Sequence, residues 1–140
     1  MKAIMPAGKV QLFVGICQAI VRALYSFKRG GDAAMMKRIE VFKEGQFSEK
    51  GLGKFSIHDS PYFRVINFNF KEGQELGIHS HDVDGQLSIV VLEGEGEFLG
   101  KEGMTLPAQT GDVLISDIRE PHGVRAWSDM RVIVTIAPPV

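Results

Sequence analysis

From residue 37 onward, hydrophobic and polar positions alternate in short bursts with a period of two. In "VINFNF", Ile66, Phe68 and Phe70 fall on one face while Asn67 and Asn69 fall on the other, the pattern of a half-buried strand. Segments of the same kind, "KRIEVF", "YFRVINFNF", "LSIVVLEG", "GEFLG", "DVLIS" and "RVIVTIAP", each end at turn residues, so they predict an all-β sandwich or barrel. One earlier stretch has a different rhythm. In residues 10 to 27, "VQLFVGICQAIVRALYSF", the positions Gln11, Gln18, Arg22 and Tyr25 line up at ~100° per residue, which predicts a helix with one narrow polar stripe. Its apolar remainder needs cover from the domain, from a partner subunit or from a bilayer interface. It falls short of the ~20 residues of a spanning helix and carries Arg22, so no membrane span is expected. No small-x-small site precedes Lys28 and Arg29, so it is not read as a signal peptide. "KRGGDAA" then serves as a flexible connector. The expected organisation is a helical extension and linker over residues 1–34 and a β domain over 37–140.

Composition narrows the chemistry. A chain of 140 residues holds one compact domain with a full core. Its 16 Lys and Arg against 17 Asp and Glu leave a formal charge of −1, which offers no footprint for nucleic acid or an anionic bilayer and leaves a small neutral or anionic molecule as the expected partner. The single cysteine, Cys17, cannot close an internal disulfide and is read as packed in the helix, which suits a cytoplasmic setting. No phosphate loop, Ser-His-Asp order or zinc-protease motif occurs.

The candidate chemistry lies in "GIHSHDVDGQLSIVVLEGEG". On a strand, residues two apart share a face, so His79 and His81 can present both imidazoles to one ion with Ser80 turned away. Two histidines flanking a turn in solvent would show the same spacing, and two imidazoles rarely make a metal site without a third donor. His122 can supply it. At this point the chain resembles the cupins, small β-barrels that commonly hold a metal. Their first motif is a glycine, five residues, His-x-His, three or four residues, a glutamate, six residues and a glycine. Gly73, "QELGI" and His79-Ser80-His81 match in register, Gln86 stands where the glutamate is expected, and Gly94 comes one residue late. The second motif, a glycine, five residues, proline, one residue, glycine, two residues and histidine, is matched in spacing by Gly111, "DVLIS", Asp117, Arg119 and His122, with Asp117 and Arg119 replacing the proline and second glycine.

The resemblance implies a single cupin barrel (a double-stranded β-helix or jelly roll) carrying one divalent transition metal, Fe, Mn, Ni, Zn or Cu. It implies His79, His81 and His122 as ligands, with Gln86 as fourth donor, and a homodimer paired through its sheets. The extra residue before Gly94 leaves two registers open: a bulge keeps Gln86 facing inward, or Leu87 takes the inward slot and only the histidines remain. Asp82, Asp84 and Asp117 are either acceptors for imidazole N–H groups or turn caps. Arg119 and Arg125 either clamp a substrate carboxylate or lie on the surface. Glu93, Glu95 and Glu97 read as a solvated strand face, and His58, in "HDSPYF", as a structural residue at a turn. Two functions stay open: a metal-dependent enzyme of oxygenase or isomerase type acting on a small anionic molecule, and a non-catalytic module that binds or senses a ligand.

Overall fold

A computed structural model describes residues 36–140. The segment at 10 to 27 and Cys17 lie outside the described residues. Among the described residues, no helix is long and apolar enough to cross a membrane. Residues Ile39–Val140 form one compact unit.

Among the described residues, one helical turn, α1 (Val41–Glu44), precedes nine strands: β1 (Gly53–Asp59), β2 (Arg64–Phe70), β3 (Glu75–His79), β4 (Gln86–Glu93), β5 (Glu95–Leu99), β6 (Thr105–Gln109), β7 (Val113–Asp117), β8 (His122–Ala126) and β9 (Met130–Ala137). They build two antiparallel sheets, β1-β2-β9-β4-β7 and β3-β8-β5-β6, the two-sheet architecture of a jelly-roll barrel. The all-β expectation therefore holds. "KRIEVF" does not: its second half is α1 and not a strand. With Gly45 and Gln46 following, the short apolar run has no partner strand to extend along, and periodicity over so few residues does not separate one helical turn from a strand.

The core follows the alternation. Ile66, Phe68 and Phe70 on β2, Leu87, Ile89 and Val91 on β4, and Met130, Val132, Val134 and Ile136 on β9 all point between the sheets. Each is worth roughly 1.5–3 kcal/mol by removal from water. Strand β9 lies between β2 and β4, so its even-numbered residues pack against both neighbours.

The outer face of β2 corrects the half-buried expectation. Asn67 and Asn69 are wholly buried. Residues 41 to 47 cover them. Asn69 Nδ2 donates to Asn67 Oδ1 at 2.7 Å and Asn67 Nδ2 to the Val132 carbonyl at 3.0 Å. Arg131, 5 % exposed, donates from NH1 to the carbonyls of Val41 and Gly45, each at 3.0 Å. Its guanidinium sits 4.8 Å from the Phe42 ring and 5.0 Å from the Phe47 ring. A buried cation is tolerated only with such partners. The close approach also explains Gly45, where a Cβ would meet Asn67 Oδ1 at 2.0 Å.

Candidate metal centre

The β3–β8 pairing puts His79 directly opposite His122, at the end of one strand and the start of the other. Their ring centroids are 4.5 Å apart. Strand β3 ends at His79, so His81 lies just past it and its position rests on loop contacts and not on strand alternation. Its N–H donates to the Ile118 carbonyl at 3.2 Å, and the Ile118 N–H returns to Gly85 at 3.0 Å. With Ile118 fully buried, this backbone pair anchors the 81–85 loop to the turn before β8. The His81 ring comes to 5.3 Å from His79 and 6.2 Å from His122.

Two of the three rings are oriented by backbone. His79 Nδ1 lies 2.9 Å from the Gly77 carbonyl and His122 Nδ1 lies 2.7 Å from the Glu120 carbonyl. A carbonyl only accepts, so each Nδ1 carries the proton and donates, which leaves each Nε2 with its lone pair free. Carbonyls thus take the orienting role considered for Asp82, Asp84 and Asp117. Burial holds the His122 imidazole below its ordinary value of 6.5, helped by the charges of His79 and His81 and opposed by the Glu120 carbonyl. The neutral, metal-competent form is favoured.

One ligand nitrogen from each of the three histidines falls within 4.8 Å of the others. An ion with Zn–N bonds of ~2.1 Å would want its nitrogens ~3.4 Å apart in tetrahedral geometry, so small side-chain adjustments complete the fit. The donor set suits a transition ion and is poor for calcium or magnesium, which prefer oxygen.

Gln86 is not brought into this group. It is exposed, its Nε2 donates to Asp117 Oδ1 at 3.3 Å, and it lines a separate polar surface hollow with Asp84 and Arg119. Leu87, 3 % exposed, occupies the inward slot and shares a cavity with His79, His81 and His122. Counting back from Gly94 would have found this: Leu87 stands the family's six residues ahead of that glycine, so the extra residue lies in the 82–85 loop.

The other candidates lie elsewhere. Arg119 pairs with Asp82, Nε to Oδ1 at 3.2 Å, and with Asp84, tying the His81 loop to the turn that leads into His122. Arg125 pairs with Glu75 at 2.9 Å and Glu97 at 3.0 Å. Glu93 meets Arg131 at 3.4 Å, so of the three glutamates only Glu95 fits a simply solvated face among the interactions seen here. His58 stands at the end of β1 with its ring 4.6 Å from Phe63, apart from the cluster.

The cavity holding the histidines measures about 460 Å³, within the usual ~300–1,000 Å³ for small-molecule sites. Its walls are mainly apolar, with Ile66, Phe68, Leu87, Ile89, Val134 and Ile136 prominent. Two cations, Lys54 and Arg64, also line it and were not among the sequence candidates. Their signal was present. Arg64 is two residues ahead of Ile66 on β2, hence on its face, and Lys54 pairs opposite Phe68.

Comparison with known proteins agrees with this geometry. A cupin-domain family model matches residues 67–136, half of the chain. The crystal structure of an RmlC-like cupin protein from Desulfovibrio desulfuricans is 48 % identical and superposes with a TM-score of 0.72, over 75 % of this chain and 99 % of that one. The L-ectoine synthase of Shouchella clausii (strain KSM-K16) is 30 % identical over 92 residues, 64 % of this chain, which thus spans only 60 % of that relative's length. A crystal structure of ectoine synthase from P. lautus is 25 % identical with a TM-score of 0.60, over 76 % of this chain and 80 % of that one. Two antiparallel sheets that bring the histidines of both sequence motifs to one cavity, together with this family match, show that the chain belongs to the cupin superfamily.

Proposed function

We propose that this cupin is a metal-dependent enzyme in which His79, His81 and His122 hold one divalent transition ion, and that it acts on a small anionic molecule seated in the adjoining cavity. The observation that carries the reading is the convergence of three imidazoles on one mainly apolar cavity. When bound, the ion supplies Lewis-acid polarisation, or activation of water or dioxygen, at its open positions. The protein's part is to hold the rings. The Gly77 and Glu120 carbonyls keep the Nε2 lone pairs directed away from the backbone, and the mainly apolar walls lower the local dielectric and strengthen charge interactions beside them. Three neutral ligands cancel none of the ion's charge, so an anionic group is favoured there.

The enzymatic reading draws support from the L-ectoine synthase relative, although this chain spans 60 % of that protein. One feature favours the second reading, a non-catalytic binding module. Among the described residues lining the cavity none is acidic, so no carboxylate is placed there as a general base.

Metal analysis of protein purified without added metal tests the site. Replacing His79, His81 or His122 with alanine should each remove most of the bound ion, and His58→Ala should leave it. Equal loss in all four variants rules the site out. Bound iron together with oxygen consumption would favour the enzyme, and a metal-free protein that still binds ligand would favour the module.

A further inference from the structure

We propose that Lys54 and Arg64 form a second anion-binding locus in the histidine cavity, so that its ligand is a small dianion with an apolar body, such as a dicarboxylate, and not a simple monoanion. This rests on the metal reading for one of the two anionic groups and on the two cations alone for the other.

The argument begins with strand geometry. Alternation along β2 puts Arg64 on the inward face with Ile66 and Phe68, where a barrel strand would ordinarily carry an apolar residue. Lys54 comes from β1, directly opposite Phe68, and its Nζ lies 5.9 Å from that ring's centroid. Both cations belong to the five-stranded sheet, whereas His79 and His122 belong to the four-stranded sheet. Ile66, Phe68, Ile89 and Val134 line the same space. A ligand filling this space therefore meets the cations and hydrocarbon of one sheet and the imidazoles of the other.

The Arg64 guanidinium is incompletely used. NH2 pairs with Asp59 at 3.0 Å, and NH1 donates to the Val140 carbonyl. Its Nε is buried with no hydrogen-bond partner among the described residues. A buried N–H in that position is costly unless an acceptor arrives, and a ligand carboxylate is a matched acceptor. The apolar lining beside these cations disfavours a compact, fully hydrated anion such as phosphate, which would leave that wall unmatched.

Calorimetric titration of the full-length, zinc-loaded protein tests this with dicarboxylates from succinate to suberate, each beside the monocarboxylate of equal carbon count and the matching alcohol. The best diacid should bind about tenfold tighter than its monoacid. Arg64→Gln should remove most of that preference, and so should Lys54→Gln, which leaves the Asp59 and Val140 contacts intact; zinc stoichiometry should not change in either. Diacids binding no better than monoacids, or both variants weakening the two classes alike, would overturn the proposal. If no zinc binds but the protein still prefers carboxylates over alcohols in an Arg64-dependent way, the cationic locus stands and the metal reading falls.

Discussion

Leu87→Glu places a carboxylate where the family's glutamate would face the histidines, and its cost and benefit can be worked through. Leu87 is 3 % exposed, so its loss forfeits about 2–3 kcal/mol of burial. In the metal-free protein the new carboxyl sits in an apolar wall and keeps its proton near neutrality. Raising its pKa from ~4.3 toward ~7 costs about 4 kcal/mol at neutral pH. The sum, about 6–7 kcal/mol, is comparable with the whole stability of a marginal domain. Because the folded form then binds a proton that the unfolded chain has released, the penalty of metal-free Leu87→Glu relative to wild type should be smaller at pH 5 than at pH 7. With metal the carboxyl ionises and becomes a fourth ligand. A tenfold gain in affinity appears as about 1.4 kcal/mol of extra metal-induced stabilisation over wild type. Urea unfolding at both pH values, with chelator and with excess zinc, measures each quantity. Gln86→Glu is the control: its side chain lies outside the cavity, and it should match wild type throughout. Wild-type metal stabilisation in Leu87→Glu, or a larger gain in Gln86→Glu, would refute the inward register of Leu87.

Two further perturbations probe the site's protonation and the strap over β2. Burial lowers the His122 pKa, so between 6.5 and that lower value the unfolded chain binds more protons than the folded one; the metal-free protein should lose stability as pH falls below 6.5, and His122→Asn should flatten that slope in chelator-treated urea titrations. Arg131→Met strips the Val41 and Gly45 carbonyls of their shared donor and should cost about 3 kcal/mol, with protease cleavage within residues 41 to 47 rising before global unfolding; unchanged cleavage would show that the strap is held without it.

The strand pattern and the histidine spacing were legible in the sequence because both depend on short-range geometry. Period two fixes which side chains of "VINFNF" and "RVIVTIAP" face inward, and those faces became the core. The His-x-His pair, with His122 at the family's distance, marked the residues of the site; the β3–β8 register then sets His79 against His122, and loop contacts bring in His81. Strands β1, β6 and β8 were not marked. They are mixed in composition, with Gly53, Pro107 and Gly123 among their residues, and their ladders to β2, β5 and β3 define them more than their own pattern. Long-range packing also decided what local spacing left open. The inward slot fell to Leu87 because β4 must present Leu87, Ile89 and Val91 to the same core, and a one-residue slip would have turned all three to the outer face. Asn67 and Asn69 are buried because a segment more than twenty residues earlier folds over them, which no period along β2 records. Lys54 and Arg64 join the histidines only when the two sheets close on each other, for the sequence specifies which face each side chain takes and tertiary packing decides what stands across from it.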